Sequence, residues 1–145
     1  ANIYLNEFDY FVKHNLKAKY YIRYVDDFVI LYESKEQLEE WKVKIDNFLK
    51  EKLRLELHPN KSKIISLSKG IDFVGFRNFY HFKLLRKRNV WKMFSKIEEF
   101  ENKKLTNNEI MGIFQGWNAY GKWANSLKLR RQILKRINWI KAHKL

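Results

Sequence analysis

The stretch Lys19–Tyr32, "KYYIRYVDDFVILY", sets two adjacent carboxylates between two apolar runs. "YYIRYV" and "FVILY" are rich in aromatic and β-branched residues, the side chains that suit a pleated, half-buried strand. Asp26-Asp27 stands between them, so the pattern predicts a β-hairpin with the aspartates at its turn. Two readings of the pair are open. Aspartate is common in turns because its short side chain hydrogen-bonds the local backbone. A hairpin tip also projects side chains to one point, and carboxylates are hard oxygen ligands that suit Mg²⁺ or Mn²⁺. Successive strand residues face opposite ways, so a complete metal site needs a further carboxylate from elsewhere.

Before the hairpin, "ANIYLNEFDYFVKHNL" places Tyr4, Phe8, Phe11 and Val12 at helical spacing. No cap precedes this pattern, which suggests a chain cut inside a helix. After the hairpin, Ser34 with Gln37 three residues on predicts a capping box. The helix it opens carries Leu38, Trp41, Ile45 and Phe48 on one face. "KLRLELH" alternates as a strand should, with Leu53, Leu55 and Leu57 on one side, and Pro59-Asn60 ends it. "SKIISL" and "IDFVGF" are expected as further short strands. Residues 1–85 therefore read as α+β, a small antiparallel sheet backed by helices.

From Arg86 the pattern turns helical. Val90, Phe94 and Ile97 recur at helical spacing, and Thr106 with Glu109 predicts a second capping box. Ile110, Phe114, Trp117 and Gly121 share one face of the helix that follows. Ser126 opens the last helix, with Leu129, Ile133, Ile137 and Ile140 on one side. Three amphipathic helices with short connections predict a small bundle over residues 86–145.

The charge is unevenly spread. The chain of 145 residues holds 30 Lys+Arg against 16 Asp+Glu, a net of +14. Residues 1–85 hold fifteen basic and twelve acidic side chains, a net of +3, and residues 86–145 hold fifteen and four, a net of +11. A cationic surface so concentrated suits a polyanion, with nucleic acid the natural partner. With 46% hydrophobic residues the chain has material for a core, which excludes a disordered tail. With no cysteine there are no disulfides or thiolate metal sites, and a reducing compartment fits. No apolar run approaches the roughly 18 residues that span a bilayer, so no membrane partner is expected.

Tyr24-Val25-Asp26-Asp27 between two apolar strands resembles the Tyr-x-Asp-Asp signature of reverse transcriptases. "ANIYLNEFD" resembles the helix before that hairpin in bacterial members. "LELHPNKSKI" resembles the family's next motif, and "GIDFVGF" the strand turn that grips the primer end. "LLRKRNV" and "GWNAYGKWANSLKLRRQIL" resemble the thumb of the diversity-generating retroelement enzymes, with group II intron and retron enzymes as relatives. The motifs run in the same order across nearly the whole chain.

The resemblance implies roles. Asp26 and Asp27 would be catalytic metal ligands, with Mg²⁺ (or Mn²⁺) as two ions in the complete site. Tyr24 and Val25 would lie beneath the primer terminus and the incoming dNTP. Lys61 would stand near the leaving pyrophosphate, where a lysine aids phosphoryl transfer by neutralising or protonating developing charge. Phe73, Val74 and Gly75 would form the primer grip, Gly75 allowing close backbone approach. Arg86, Lys87, Arg88, Lys92, Lys122, Lys128, Arg130, Arg131 and Lys135 would hold an RNA template and DNA primer by their phosphates. The fingers and first half of the palm, with the third metal-binding aspartate, have no counterpart in this sequence. Residues 1–85 are then expected to be the C-terminal part of a palm and 86–145 a thumb, inactive without that N-terminal segment. An accessory protein and the cytoplasm of a bacterium complete the expectation.

Plainer readings stand beside these. His58 suits packing or capping better than metal ligation, and Lys61 and Lys63 suit solvated loop positions. Phe73 and Phe76 could be ordinary core. Trp117 suits core, whereas Trp123 suits either burial or stacking on nucleic acid. A non-catalytic, basic nucleic-acid-binding module is the alternative to a polymerase.

Overall fold

The computed structural model describes residues 3–143. The chain divides into two compact units, Ala1–Ser66 and Leu67–Leu145. Both mix helix with antiparallel sheet, so the fold class is α+β. The change of pattern at residues 84–88 falls inside the second unit. No helix among the described residues is long and apolar enough to cross a membrane.

The first unit runs α1 (Asn6–Tyr10), β1 (Tyr20–Tyr24), β2 (Asp27–Leu31) and α2 (Lys35–Phe48). Each of its two helices ends in a wider π turn, Phe11–Asn15 after α1 and Leu49–Leu53 after α2. The sequence explains this. Phe8, Val12 and Leu16 are spaced by four, as are Trp41, Ile45, Leu49 and Leu53, and all of them are buried. Four residues overshoot one α turn of 3.6, so a long series drifts off the core-facing side. A locally wider turn falls short instead and returns the series to the core. Both π turns then stop at a basic residue in the left-handed region, Lys17 (φ 54°) and Arg54 (φ 50°). These apolar series form one core, against which Tyr21, Phe28 and Ile30 of the hairpin pack.

The second unit opens with a three-stranded antiparallel sheet, β3 (Ile71–Phe73), β4 (Phe76–Asn78) and β5 (Lys83–Leu85), in that order. Three helices follow, α3 (Lys87–Glu101), α4 (Asn107–Gly121) and α5 (Leu127–His143). Their core is Met93, Ile97, Phe100, Ile110, Phe114, Ile133, Ile137 and Ile140. The sheet is tied to these helices. Tyr120 Oη donates to Gly75 O (2.8 Å), the Asn125 N–H donates to Lys83 O (2.8 Å), and Tyr120 stacks on Phe76.

Several local expectations are revised. "KLRLELH" forms no strand. Leu53 completes the spaced-by-four series of α2, and its burial outweighs the short alternation that follows. "SKIISL" is irregular up to a 3₁₀ turn at Leu67–Lys69. "IDFVGF" is two strands, because Val74 (φ 47°) and Gly75 (φ 81°) make a tight two-residue turn with both dihedrals positive. The Ser34 box forms by half. Ser34 Oγ accepts the Gln37 N–H (3.1 Å), but the Gln37 side chain turns to Glu40. The Thr106–Glu109 box is complete in both directions. The buried line of α3 is Met93, Ile97 and Phe100, with Val90 and Phe94 at its half-buried margin.

Candidate functional site

The β1–β2 hairpin is short and closed by two residues. Tyr24 pairs with Asp27 across the strands, so the loop is Val25-Asp26, one residue earlier than the Asp26-Asp27 turn read from the sequence. Asp26 is a loop residue and Asp27 the first residue of β2, and both carboxylates are exposed. Val25 has φ 57°, a conformation its branched side chain disfavours, and the surroundings must hold it there.

The hold comes from three residues that the sequence reading missed. Asp9, on α1, receives Arg23 Nε at Oδ1 (2.8 Å) and Arg23 Nη2 at Oδ2 (2.6 Å), a forked pair. The Tyr21 hydroxyl adds a bond to Asp9 Oδ1 (2.5 Å). Arg23 Nη1 donates to the carbonyl of Val25 (2.6 Å). The hydrogen bonds from Arg23 hold the Asp9 carboxyl below the usual carboxylate range, against the opposing effect of burial. Burial, followed by the bond to Asp9, pushes the Tyr21 hydroxyl up. The available signal was position. Tyr21 and Arg23 alternate on β1, Val25 follows two residues on in the loop, and Asp9 follows the buried Phe8 directly.

Tyr24 lies on the exposed face of β1 with Tyr20 and Ile22, each more than half exposed. Lys61 is exposed, in the turn after Pro59. His58 is exposed too. Its Nδ1 accepts the Asn60 N–H (3.3 Å) and its carbonyl accepts the Lys61 and Ser62 N–H groups. It therefore organises the turn and does not pack in the core. As potential ligands, Asp26 and Asp27 offer acceptor-only oxygens of the kind hard divalent cations take. Among the described residues no group of three or more acidic, histidine or cysteine side chains is placed to hold a metal ion. Asp9 adds nothing to the pair, because both its oxygens are bound to Arg23.

In the second unit, Phe73, Val74 and Gly75 form the end of the β3–β4 hairpin. Gly75 is required there twice over, by its φ of 81° and because an added Cβ would collide with the Tyr120 hydroxyl. Lys87, Arg88, Lys92, Lys122, Lys128, Arg131 and Lys135 are exposed cations. Two of the expected phosphate contacts have structural bonds. Arg86 pairs with Asp72 (3.3 Å), and half-buried Arg130 bridges Asn118 Oδ1 (2.8 Å) and Ser126 Oγ (3.2 Å). Trp123 is 70% exposed, which removes the burial option, whereas Trp117 is half-buried in the helical core.

A braced hairpin that carries adjacent exposed carboxylates, in an α+β chain of net charge +14, fits proteins that act on polynucleotides. The family model for reverse transcriptase (RNA-dependent DNA polymerase) matches residues 1–78, more than half of the chain, and the chain belongs to that family. A comparison with curated proteins finds no match.

Proposed function

We propose that this chain is the palm and thumb portion of a bacterial retroelement-type reverse transcriptase, with the palm over residues 1–85 and the thumb over 86–145. The observation that carries this reading is the exposed Asp26-Asp27 pair at a two-residue hairpin tip inside the family-matched segment. Asp26 and Asp27 would hold Mg²⁺ or Mn²⁺. Bound there, divalent ions would supply charge stabilisation for the phosphates of an incoming dNTP and activation of the primer hydroxyl. Tyr24 and Val25 lie beside the pair in sequence and would support the primer terminus and the nucleotide. Lys61 would neutralise charge on the leaving pyrophosphate. Phe73, Val74 and Gly75 would grip the primer strand. The exposed cations of the helical part would track the phosphates of an RNA–DNA hybrid, which proteins recognise largely by shape.

Two carboxylates fall short of a full two-metal ligand set. The complete site would take a further aspartate from an N-terminal palm segment, and the enzyme would act in a bacterial cytoplasm. Primer extension with Mg²⁺ and dNTPs tests this. The purified chain should be inactive, and the protein joined to its N-terminal segment should extend a primer on RNA and lose that activity in Asp26→Ala. Robust Asp26-dependent synthesis by residues 1–145 alone would overturn the need for a third carboxylate. A second reading, a non-catalytic nucleic-acid-binding module, draws on one observation, the exposed cations of the helical part in a chain of net charge +14. It predicts hybrid binding with no extension in either form.

A further inference from the structure

The tip that presents Asp26 and Asp27 has little of its own to fix it. Its loop is two residues long, Val25 sits at a dihedral a β-branched residue disfavours, and both aspartates are exposed. A two-stranded hairpin is marginal without help from other elements. The help here converges on one atom. The carbonyl of Val25 belongs to the peptide that leads into Asp26, so holding that oxygen fixes where Asp26 begins. Arg23 Nη1 holds it at 2.6 Å.

Arg23 can do this because it is itself clamped. Its Nε and Nη2 fork onto the two oxygens of Asp9 (2.8 and 2.6 Å), and the Tyr21 hydroxyl steadies Asp9 from the same side. Asp9 in turn is fixed by α1, whose preceding residue Phe8 is 1% exposed in the core of the unit. The line therefore runs from the core through Phe8, Asp9 and Arg23 to the Val25 carbonyl. Arginine suits this task, because its planar fork offers donors in fixed directions to two acceptors at once. A lysine has one point of charge and cannot span both.

We propose that Arg23, clamped by Asp9, is a positioning residue that sets the Val25-Asp26 peptide and so the placement of the Asp26 and Asp27 carboxylates for metal binding. The inference rests on the reading of those aspartates as metal ligands. Asp9 acts through Arg23, and neither touches the reacting atoms.

The test uses the intact protein that carries this chain, with Arg23→Lys and, as a second variant, Asp9→Asn. Hydrogen exchange in metal-free protein reads the tip directly. Loss of a charge-assisted bond should speed exchange at the Val25, Asp26 and Asp27 amides by about tenfold in Arg23→Lys. Asp9→Asn should move the same amides in the same direction, by less. Primer extension reads the consequence. The Mg²⁺ concentration for half-maximal rate should rise several-fold, KM for template–primer should stay the same, and excess Mg²⁺ should restore the rate. A merely less folded enzyme would lose active fraction without shifting its Mg²⁺ requirement. Unchanged tip exchange in both variants overturns the positioning role, whatever the activity. Faster tip exchange with an unchanged Mg²⁺ requirement overturns the link to the metal. A wild-type protein with no Asp26-dependent extension, but with faster tip exchange in the variants, overturns the polymerase reading and leaves the clamp as an observed property of the hairpin.

Discussion

Tyr120→Phe removes one oxygen and leaves the ring in place. That oxygen donates to Gly75 O at 2.8 Å and accepts from Asn89 Nδ2 at 3.3 Å. The ring stacks on Phe76 with centroids 4.8 Å apart and planes at 21°, a contact the variant keeps. A neutral hydrogen bond contributes about 1 kcal/mol net, and the shorter of these two bonds carries most of that. Gly75 is half-buried, so its carbonyl regains some water when the hydroxyl goes, which keeps the loss at about 1 kcal/mol. A change of that size multiplies local opening by about five. Amide exchange across the β3–β4 ladder, Ile71 to Asn78, should accelerate by that factor, while amides in the middle of α5 should not change. Tyr120→Ala should cost more, since it also removes the stack on Phe76, about 0.5–1.5 kcal/mol beyond the area lost. Unchanged ladder exchange in Tyr120→Phe would show that the hydroxyl adds nothing to the hold on the hairpin end.

Two further outcomes test the packing and the clamp. Ile137 is 0% exposed in the helical core, so Ile137→Ala should destabilise the fold by about 2–5 kcal/mol and Ile137→Val by about 0.5–1.5 kcal/mol, read from urea denaturation. Equal effects of the two would mean that the site collapses around the cavity. The Asp9 carboxyl titrates below its ordinary value in the folded chain, so its contribution is complete above the unfolded value, about pH 4, and fades as pH falls through the lower folded value. Acid titration of stability should therefore flatten in Asp9→Asn, and an unaltered acid limb would show that the clamp adds nothing to folding.

The hairpin, the helical second half and the basic excess were legible in the sequence, because each rests on a short-range property. β-branched and aromatic runs around a pair of turn-formers suffice for a two-stranded unit. Helical spacing of Ile110 and Phe114, or of Ile133, Ile137 and Ile140, suffices for helices. Residue identity alone marked Asp26 and Asp27 as potential cation ligands. The misread segments had weaker signals. Leu53, Leu55 and Leu57 alternate, yet Leu53 also closes a series that begins at Trp41 and continues through Ile45 and Leu49. The longer series prevails because it buries more apolar surface in one core. "IDFVGF" reads as one strand until Val74 is seen to take a left-handed dihedral beside Gly75.

By itself the sequence determined the secondary elements of greatest length, the charge asymmetry and the location of the adjacent carboxylates. Only the tertiary structure decided how the carboxylates are held. Asp9 and Arg23 are fourteen residues apart, and their forked pair forms because α1 packs against the face of the hairpin that carries Tyr21 and Phe28. Likewise Tyr120 and Gly75 meet across forty-five residues. A side chain's partner at such separation depends on which faces the core brings together, and no local pattern of residues carries that information.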